Sequence, residues 1–400
     1  MKILHITSQY PGKTGSGTYL KAMITEGHKE GYSQGLLGAV QEGLDYSNPL
    51  LEYSQMVRFN TPDLPFPIMG MSDKMPYKSS IYKDMTLDQI SRWEKVFAEK
   101  LRESLEEFKP DIILSNHLWL ATSTAAQVAG DIPVFGICHG TDIRQLHRVA
   151  WLEDKVVDGI KKLNGIFALT LDQVAIIERL YDVPIEMIHV SGGGYDEGIF
   201  HPVQNRKKTE TPKLVYAGKL SYAKGLMPLL EAYEHLIQSR QVDLTIVGSG
   251  EGEESDRIIK RGKELGVRFT GAVSQEKLAD IFRDSDIFVL PSYYEGLPLV
   301  VMEALACGLM VVTTDIPGLK GYMGEKLASS GLVQFVKLPR MLDIDTPLQE
   351  DYNHFVFNLK KTLNKQINIC NEGYNSFAPF KSEIDRLSWQ GVFERIKSRF

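Results

Sequence analysis

The chain has few cysteines, no long apolar run and no excess of positive charge. Its three cysteines, Cys138, Cys307 and Cys370, are odd in number and widely spaced, which is typical of neither a disulfide framework nor a zinc site. No apolar run reaches the ~18 residues that a membrane span needs, and the first ten residues, MKILHITSQY, have too short an apolar core for a signal peptide. These absences predict a soluble, cytoplasmic protein.

The charge balance argues against nucleic acid as a partner. The formal net charge is −6 at pH 7, the acidic excess lies in the first half of the chain, and there is no basic stripe. That acidity also disfavours docking on an anionic membrane but leaves it open, so peripheral membrane contact is the alternative to a purely cytoplasmic location. The sequence does not indicate an oligomeric state.

Strand-like and helix-like segments alternate through both halves of the chain. A polar, basic, threonine-rich linker over 204–212 interrupts the alternation. We therefore predict an α/β protein with two Rossmann-like domains, 1–203 and 204–383, followed by a helical stretch over 384–400. The predicted strands are 2–7, 35–40, 112–115, 134–139, 165–170 and 185–190 in the first domain, and 214–217, 244–248, 267–270 and 287–290 in the second.

The segment 286–314 predicts a strand, a loop, a helix and a second strand. The apolar strand ends before Pro291, and a helix over 298–306 is expected to begin at Pro298. Unpaired amides of Gly296, Leu297 and Leu299 at that helix start would bind an anion such as a diphosphate. Glu295 lies in the loop and Glu303 about 7.5 Å further along the helix. Two carboxylates so far apart cannot share one proton or one metal, so we expect them to hold two ends of a ligand.

These residues form the pattern E-G-x-P-x-x-x-x-E-A, carried by Glu295, Gly296, Pro298, Glu303 and Ala304. It resembles glycosyltransferase family four, which has the GT-B fold, with two Rossmann-like domains facing across a cleft, and retains anomeric configuration. The resemblance implies that Glu295 holds hydroxyls of the donor sugar and Glu303 the ribose hydroxyls. The alternative is a loop acid that caps a helix and an unrelated surface glutamate.

The motif GKLSYAKG places Lys219 just after a strand and Lys224 five residues later. Two cations there would neutralise a departing diphosphate, although a pair of exposed lysines is the ordinary alternative. The motif is similar to the family's G-R-L-x-x-x-K-G, with Lys219 where arginine is usual, so bidentate binding is lost while the charge remains. The turn VGSGEG does not match a dinucleotide fingerprint. The resemblance also implies that Val273 lies beside the nucleotide base.

Two segments of the first domain complete the predicted site. Gly15, Ser16 and Gly17 are expected in a loop where backbone can approach a ligand, with Gly17 as the contact, or else are plain turn residues. His139, in HGTD at a strand end, lies where the family has a histidine beside the donor sugar, although a lone histidine is more often structural. The two segments together look most like the N-acetylglucosaminyl malate synthase branch. The resemblance further implies that the helix over 384–400 packs back on the first domain.

The remaining motifs do not add a metal or a cofactor. Asp284-Ser285-Asp286 precedes a strand instead of ending one, so we interpret it as a helix stop and turn, and 343–345 as a surface loop. We expect no metal, because lysines and helix amides can supply the charge, and no cofactor besides the donor itself. The four prolines within 60–83 indicate either a mobile acceptor lid or a long connection.

The sequence therefore predicts a retaining, metal-independent glycosyltransferase. It would move a sugar from a nucleoside-diphosphate sugar, with UDP favoured and UDP-N-acetylglucosamine one candidate, to the hydroxyl of a glycan, a lipid-linked group, a protein or a small molecule. The residues expected to act on the reacting groups are His139, Lys219, Lys224 and Glu295. An inactive scaffold subunit and a sugar-nucleotide epimerase are the alternatives. A phosphorylase would need a lysine-bound pyridoxal phosphate, for which there is no distinct signal.

Overall fold

The structure, a computed structural model, describes residues 1–12, 14–72, 75–203, 211–343, 345–372 and 377–400. Within these ranges the chain divides into two compact units. Unit 1 comprises Met1–Gly192 and Val392–Phe400, and unit 2 comprises Gly193–Gly391. The predicted linker over 204–212 falls largely outside the described residues. Residues 193–203, which were predicted in the first domain, belong to unit 2.

Unit 1 is built on a parallel sheet that has seven strands in the described ranges, in the order β3-β2-β1-β6-β7-β8-β9. A short parallel pair, β4 and β5, lies outside that sheet. The strands are β1 Lys2–Ile6, β2 Ser33–Val40, β3 Tyr53–Arg58, β4 Met69–Gly70, β5 Ser80–Ile81, β6 Ile112–Asn116, β7 Val134–Ile137, β8 Gly165–Ala168 and β9 Ile188–Val190. The helices are α1 Gly15–Lys29, α2 Leu87–Phe108, α3 Leu120–Val128, α4 Thr141–Arg148, α5 Glu153–Ile160 and α6 Leu171–Tyr181.

Helix α2 shows how local sequence determines an element of this unit. Thr86 caps it, because its side chain accepts from the Gln89 amide while the Gln89 side chain accepts from the Thr86 amide. Its buried stripe includes Ile90, Trp93, Phe97, Leu101 and Phe108. The helix ends at Phe108 because Lys109 is left-handed, with φ of 53°.

The segment that connects β3 to α2 is fastened to the rest of unit 1. The Gln41 side chain accepts from the Ile68 amide at 2.9 Å and donates to the Lys78 carbonyl at 3.0 Å. The Gln145 side chain donates to the Met71 carbonyl at 3.1 Å. Residues 73 and 74 lie outside the described part of the chain. The described part of this segment is thus held to unit 1 by the buried side chains of Gln41 and Gln145.

Unit 2 is built on a second parallel sheet, whose order in the described ranges is β12-β11-β10-β13-β14-β15, and it carries a separate hairpin of β16 and β17. The strands are β10 Lys213–Ala217, β11 Asp243–Val247, β12 Arg268–Gly271, β13 Ile287–Leu290, β14 Met310–Thr314, β15 Val333–Val336, β16 Met341–Asp343 and β17 Thr346–Pro347. The helices are α7 Leu226–Ile237, α8 Gly252–Glu264, α9 Gln275–Arg283, α10 Leu299–Ala306, α11 Leu319–Met323, α12 Glu325–Ala328, α13 Tyr352–Asn371 and α14 Lys381–Asp385. Helix α15, Trp389–Lys397, begins in unit 2 and continues into the last segment of unit 1. Two doubly wound α/β units were predicted, and both sheets confirm that prediction.

The strand order of unit 2 identifies its ligand-binding edge. The chain runs outward from β10 through β11 to β12, and then returns to place β13 on the other side of β10. Such a reversal opens a crevice outside the carboxyl ends of the two central strands, which is where open α/β sheets bind ligands. The corresponding reversal in unit 1 lies between β1 and β6.

The C-terminal stretch differs from the single helix predicted over 384–400. Helix α14 ends at Asp385 and α15 begins at Trp389, with a break at 386–388. At Gly391 a Cβ atom would lie 2.3 Å from the Arg386 carbonyl oxygen, so the chain there packs too closely for a side chain. Among the described helices, none combines the length and hydropathy of a membrane-crossing segment.

Candidate active site

The loops that follow β10 and β13 are joined directly beside the reversal point of unit 2. The Tyr293 amide donates to the Ala223 carbonyl at 3.0 Å. Gly225, with φ of 67°, approaches so closely that a Cβ atom would lie 2.0 Å from the Pro291 carbonyl oxygen. Only glycine fits this position, because any side chain would push the two loops apart. The two loops therefore lie in direct contact and form one surface.

Two of the predicted site residues contact each other on this surface. Lys224 Nζ lies 2.8 Å from Glu295 Oε1, and these side chains are 25% and 20% exposed. Ser292 Oγ donates to the same carboxylate oxygen at 2.9 Å, and Lys224 also donates to the Tyr294 carbonyl at 3.4 Å. Glu295 is therefore held in one orientation by a cation and a hydroxyl.

Lys219 follows β10 and is exposed. Its loop rests on the turn VGSGEG after β11. The Leu220 amide donates to the Ser249 carbonyl at 3.0 Å, and Gly248, with φ of 132°, would place a Cβ atom 1.9 Å from the Gly218 carbonyl oxygen. The glycines of this turn thus allow the Lys219 loop to lie directly on it.

The start of helix α10 differs in two details from the prediction. Pro298 is the N-cap, so the helix begins at Leu299. The Leu299 amide, which we expected to be unpaired, donates to the Leu297 carbonyl at 3.0 Å. This correction arises because the chain turns tightly just before the helix. The amides of Gly296 and Leu297 have no protein acceptor within the described residues, so they keep the anion-binding capacity predicted for all three.

Glu303 lies in helix α10 and is half-buried. Burial raises the pKa of its carboxyl from 4.5 to about 7. In the described parts of the chain, no cation or hydrogen-bond donor contacts this carboxylate. Val273 lies at the same edge, after β12, and packs against the core of unit 2. A half-buried acceptor without a donor is the group that a hydroxyl of a ligand would satisfy.

In unit 1, His139 follows β7. Its Nε2 atom lies 2.9 Å from Asn116 Oδ1, and because an amide oxygen only accepts, Nε2 donates and Nδ1 is left as an acceptor. The Tyr19 ring meets the imidazole edge-on at 5.3 Å between centroids. Burial, followed by the neighbouring His117, lowers the pKa of His139 to about 3. His139 is therefore neutral at physiological pH.

Asp142, also from HGTD, organises the loops around this histidine. Its buried carboxylate accepts from the amides of Leu118 at 2.9 Å and His139 at 3.1 Å through one oxygen. The other oxygen accepts from the Ile143 amide at 3.2 Å, and the Cys138 thiol lies 3.4 Å from it. Asp142 thus fastens the ends of β6 and β7 together.

His117 was not predicted as a site residue. It follows β6 at the reversal point of unit 1, its ring lies 4.7 Å from that of His139, and Nδ1 lies 3.3 Å from Thr141 Oγ1. Its φ is 71°, in the left-handed region that residues other than glycine rarely adopt. Nε2 is buried and has no hydrogen-bond partner in the described ranges. Burial lowers the pKa of His117 to about 3. The signal in the sequence was limited to its place just after the strand predicted over 112–115.

The glycine segment after β1 is helical, which corrects the predicted loop. Helix α1 begins at Gly15 because Thr14 caps it, and the Thr14 hydroxyl accepts from the Gly17 amide at 3.0 Å. A Cβ atom on Gly17 would lie 3.1 Å from the Gly12 Cα atom. The Gly17 amide is therefore occupied, and this glycine serves close packing of the helix against the loop before it.

The aspartates of 284–286 are used within the fold. Lys213 Nζ pairs with Asp284 at 2.9 Å, and the Lys213 amide donates to the Asp286 carboxylate at 2.8 Å. Asp284 is the C-cap of α9. In the described part of the chain, no three His, Cys, Asp or Glu side chains are grouped as metal ligands. Of the predicted loop 343–345, Asp343 ends β16, Asp345 precedes β17, and Ile344 lies outside the described residues.

Two doubly wound units with their ligand edges at strand reversals define the GT-B fold, and solved structures agree. The chain is similar over 99% of its length to sucrose-phosphate synthase from Thermosynechococcus elongatus, covering 97% of that chain with a TM-score of 0.67 and 16% identity. It is also similar over 100% of its length to HepE from Anabaena, solved in complex with UDP-glucose, covering 98% of that chain with a TM-score of 0.60 and 17% identity. The predicted fold class is confirmed.

Residues 199–337 match the family described as Glycosyl transferases group 1. The chain thus carries a glycosyltransferase group 1 domain within unit 2. It is 27% identical over 231 residues to a glycogen synthase of Mycobacterium tuberculosis, in a match that covers 53% of the chain and 54% of that relative. The chain therefore spans about half the length of this relative. It is 26% identical over 311 residues to a D-inositol 3-phosphate glycosyltransferase of Frankia alni, covering 66% of the chain and 75% of the relative.

Proposed function

We propose that the protein is a retaining glycosyltransferase that moves a sugar from a nucleoside-diphosphate sugar to an acceptor hydroxyl. The observation that carries the proposal is the arrangement at the reversal point of unit 2, where Lys224 pairs with Glu295 at 2.8 Å beside the start of helix α10. Cations, free amides and two carboxylates at one sheet edge are the groups that a sugar diphosphate requires. The glycosyltransferase group 1 domain includes all of them.

Each group has a proposed role that follows from its contacts. Lys219, Lys224 and the amides of Gly296 and Leu297 would stabilise the diphosphate. Glu303 would accept from the ribose hydroxyls, which would supply the donors that its half-buried carboxylate lacks in the described structure. Val273 would pack beside the base.

Glu295 and His139 would orient the donor sugar. The Lys224 ion pair and the Ser292 hydroxyl fix the direction of the Glu295 carboxylate, and the Asn116 contact fixes the imidazole plane. Because burial keeps His139 neutral, it would act through a hydrogen bond and not through charge. Positioning of this kind raises turnover more than it raises affinity.

The reaction needs no nucleophile from the protein. The bond between the anomeric carbon and the leaving phosphate oxygen breaks, and a bond from that carbon to the acceptor oxygen forms on the same face. The acceptor proton passes to the leaving phosphate oxygen. The lysines and amides stabilise the charge that grows on the diphosphate, which is why we propose that no metal is required.

UDP is the nucleotide we favour, because the structural neighbour HepE was solved with UDP-glucose. UDP-N-acetylglucosamine remains a candidate donor through the resemblance of the GSG and HGTD segments. The candidate acceptors are a hydroxyl of a glycan, of a lipid-linked group, of a protein or of a small molecule. We place the protein in the cytoplasm.

Thermal unfolding with UDP, GDP, ADP or TDP tests this proposal. Each nucleotide is added first with EDTA and then with Mg²⁺, because a ligand at 100 times its dissociation constant stabilises the folded state by about 2.7 kcal/mol. A shift with one nucleotide in EDTA supports a metal-free donor site and selects the sugars to test for transfer. No shift with any nucleotide contradicts the proposal and favours an inactive scaffold.

A further inference from the structure

We propose that Tyr216 is a positioning residue that holds Lys219 in place through the Lys219 backbone. This inference rests on the proposed role of Lys219 at the diphosphate. Tyr216 lies in strand β10 and is fully buried. It would not touch the donor, so any effect on turnover would have to pass through the loop above it.

The contact between the two residues is direct. Tyr216 Oη donates to the Lys219 carbonyl at 2.9 Å. The hydroxyl also lies directly under the turn, since a Cβ atom on Gly218 would be 2.7 Å from it. Burial, and next the charge of Glu295, raise the pKa of the Tyr216 hydroxyl well above its usual range. The hydroxyl therefore remains protonated and remains a donor.

Lys219 depends on such backbone contacts. Its side chain is exposed and makes no ion pair with the described residues. The Gly218 amide donates to the carbonyl of Val247, the last residue of β11, and the Leu220 amide donates to the Ser249 carbonyl in the turn that follows, each at 3.0 Å. The Tyr216 hydroxyl is the group that contacts the carbonyl of Lys219 itself. Removing it would leave the peptide between Lys219 and Leu220 held only through its amide, so the carbonyl could tilt and move the ammonium group away from the place where charge develops.

A double-mutant cycle between Y216F and K219A tests this inference. We expect Y216F to lower kcat at saturating donor by about tenfold, which is the effect of one lost hydrogen bond. K219A should cost more, and the double variant should be no slower than K219A alone, because Tyr216 would then have nothing left to position. If the two losses multiply in the double variant, the inference is wrong.

Tyr233→Phe is the matched control. Tyr233 is also buried in unit 2, and its hydroxyl donates to the Val242 carbonyl at 3.1 Å, beside the amino end of β11. Both variants lose the same kind of bond and should lower the unfolding midpoint by similar amounts. Only Y216F should lower kcat. Equal effects of Y216F and Y233F on kcat would show a general loss of stability and overturn the inference.

The same experiment separates this inference from the proposed function. If K219A turns over normally, the proposed role of Lys219 fails and the inference fails with it. If K219A lowers kcat and Y216F lowers it further by its own full factor in the double variant, only the inference about Tyr216 fails. Should Y216F not fold, Gly218→Ala perturbs the same hydroxyl and should show the same loss of kcat, absent again in the K219A background.

Discussion

Lys224 Nζ and Glu295 Oε1 lie 2.8 Å apart, and the two residues belong to loops that follow neighbouring strands of one sheet. In the proposed function, the cation would bind the diphosphate and the carboxylate would bind the sugar of the same donor. Each side chain therefore has two competing partners, the other side chain and a group of the substrate. This competition determines how substitutions at the two positions should differ.

Glu295→Ala should lower kcat on the order of 100-fold while leaving the dissociation constant of the bare nucleotide unchanged or lower. The reason is that the sugar loses its orienting carboxylate, whereas Lys224 is freed for the diphosphate. Kinetics at saturating donor and calorimetric titration of the nucleotide measure the two effects. Asp284→Ala, which breaks the Lys213 pair of 2.9 Å, is the control and should change neither. Equal losses of kcat and nucleotide affinity in Glu295→Ala would show that the sugar role is misassigned.

Glu303→Gln should remove a component of the pH dependence of stability. The pKa of Glu303 is raised from 4.5 to about 7 in the folded protein. The contribution of this group to the free energy of unfolding is therefore fully present below pH 4.5 and is lost as pH rises through 7. At pH 8 the variant should therefore be more stable than wild type, by roughly 2 kcal/mol after allowance for partial exposure. Urea unfolding at pH 5 and pH 8 measures the difference.

Wild type must be compared with the Glu303→Gln variant, because other groups also change the pH dependence of stability in this pH range. Burial lowers the pKa of His5, His117 and His139 to between about 3 and about 4. A base with a lowered pKa loses stability as pH falls below 6.5, which is the opposite sign. Subtracting the variant from wild type cancels these histidines, and a flat difference between pH 5 and pH 8 would contradict the prediction for Glu303.

The nucleotide should bind more tightly as pH rises through 7, because ribose hydroxyls favour the ionised carboxylate of Glu303. The expected gain in affinity between pH 6 and pH 8 is about tenfold. A phosphate of the nucleotide titrates in a similar range, so Glu303→Gln, which retains only that second effect, is the reference. Parallel curves for the two proteins would exclude a contact between Glu303 and the ribose.

Asp142→Asn should destabilise the protein by about 2–4 kcal/mol and lower turnover. The buried carboxylate accepts from the amides of Leu118 and His139 through one oxygen, and an amide cannot serve all of its partners. Urea unfolding gives the first effect and kcat the second. Asp111→Asn is the control, since its exposed carboxylate accepts from the Lys2 amide at 2.7 Å, and it should cost less than about 1 kcal/mol. An equal cost at both positions would argue against the organising role of Asp142.

Gly248→Ala should weaken nucleotide binding, because its Cβ atom would lie 1.9 Å from the Gly218 carbonyl oxygen and push the Lys219 loop outward. Gly252→Ala tests backbone strain alone, since Gly252 has φ of 79° and nothing within 4 Å of its Cβ position. It should cost about 1 kcal/mol of stability without changing nucleotide affinity. Calorimetric titration of both variants separates steric displacement from strain.

The sequence predicted well those features that depend on local pattern. The capping box and the apolar stripe of helix α2 are both visible in its sequence. The two loops after β10 and β13 are visible as motifs that come directly after strand-like segments. The edge strand β3 was missed because Tyr53–Arg58 is polar and half-exposed, so it lacks the apolar run that marks a buried strand. The start of α1 was missed because Gly15 and Gly17 obscured the cap at Thr14.

The details of the site depend on contacts between distant segments, which periodicity cannot show. The pairing of Lys224 with Glu295 joins residues 71 positions apart in the sequence, and the Asn116 contact of His139 joins two strand ends. His117 was missed because its left-handed backbone and its unpaired nitrogen exist only after folding. For this chain, pattern located the loops and tertiary packing determined which side chains meet.

The last nine residues complete unit 1 although unit 2 separates them from the rest of it. Lys397 pairs with Glu30 at 2.9 Å, the Phe400 ring lies 5.7 Å from that of Phe135, and Arg395 donates to the Ser191 carbonyl at 2.9 Å. During synthesis, the first 192 residues must therefore wait for a segment that is made after the whole of unit 2 before their surface is fully covered. Loss of the last nine residues would therefore leave unit 2 with all of its residues and unit 1 incomplete.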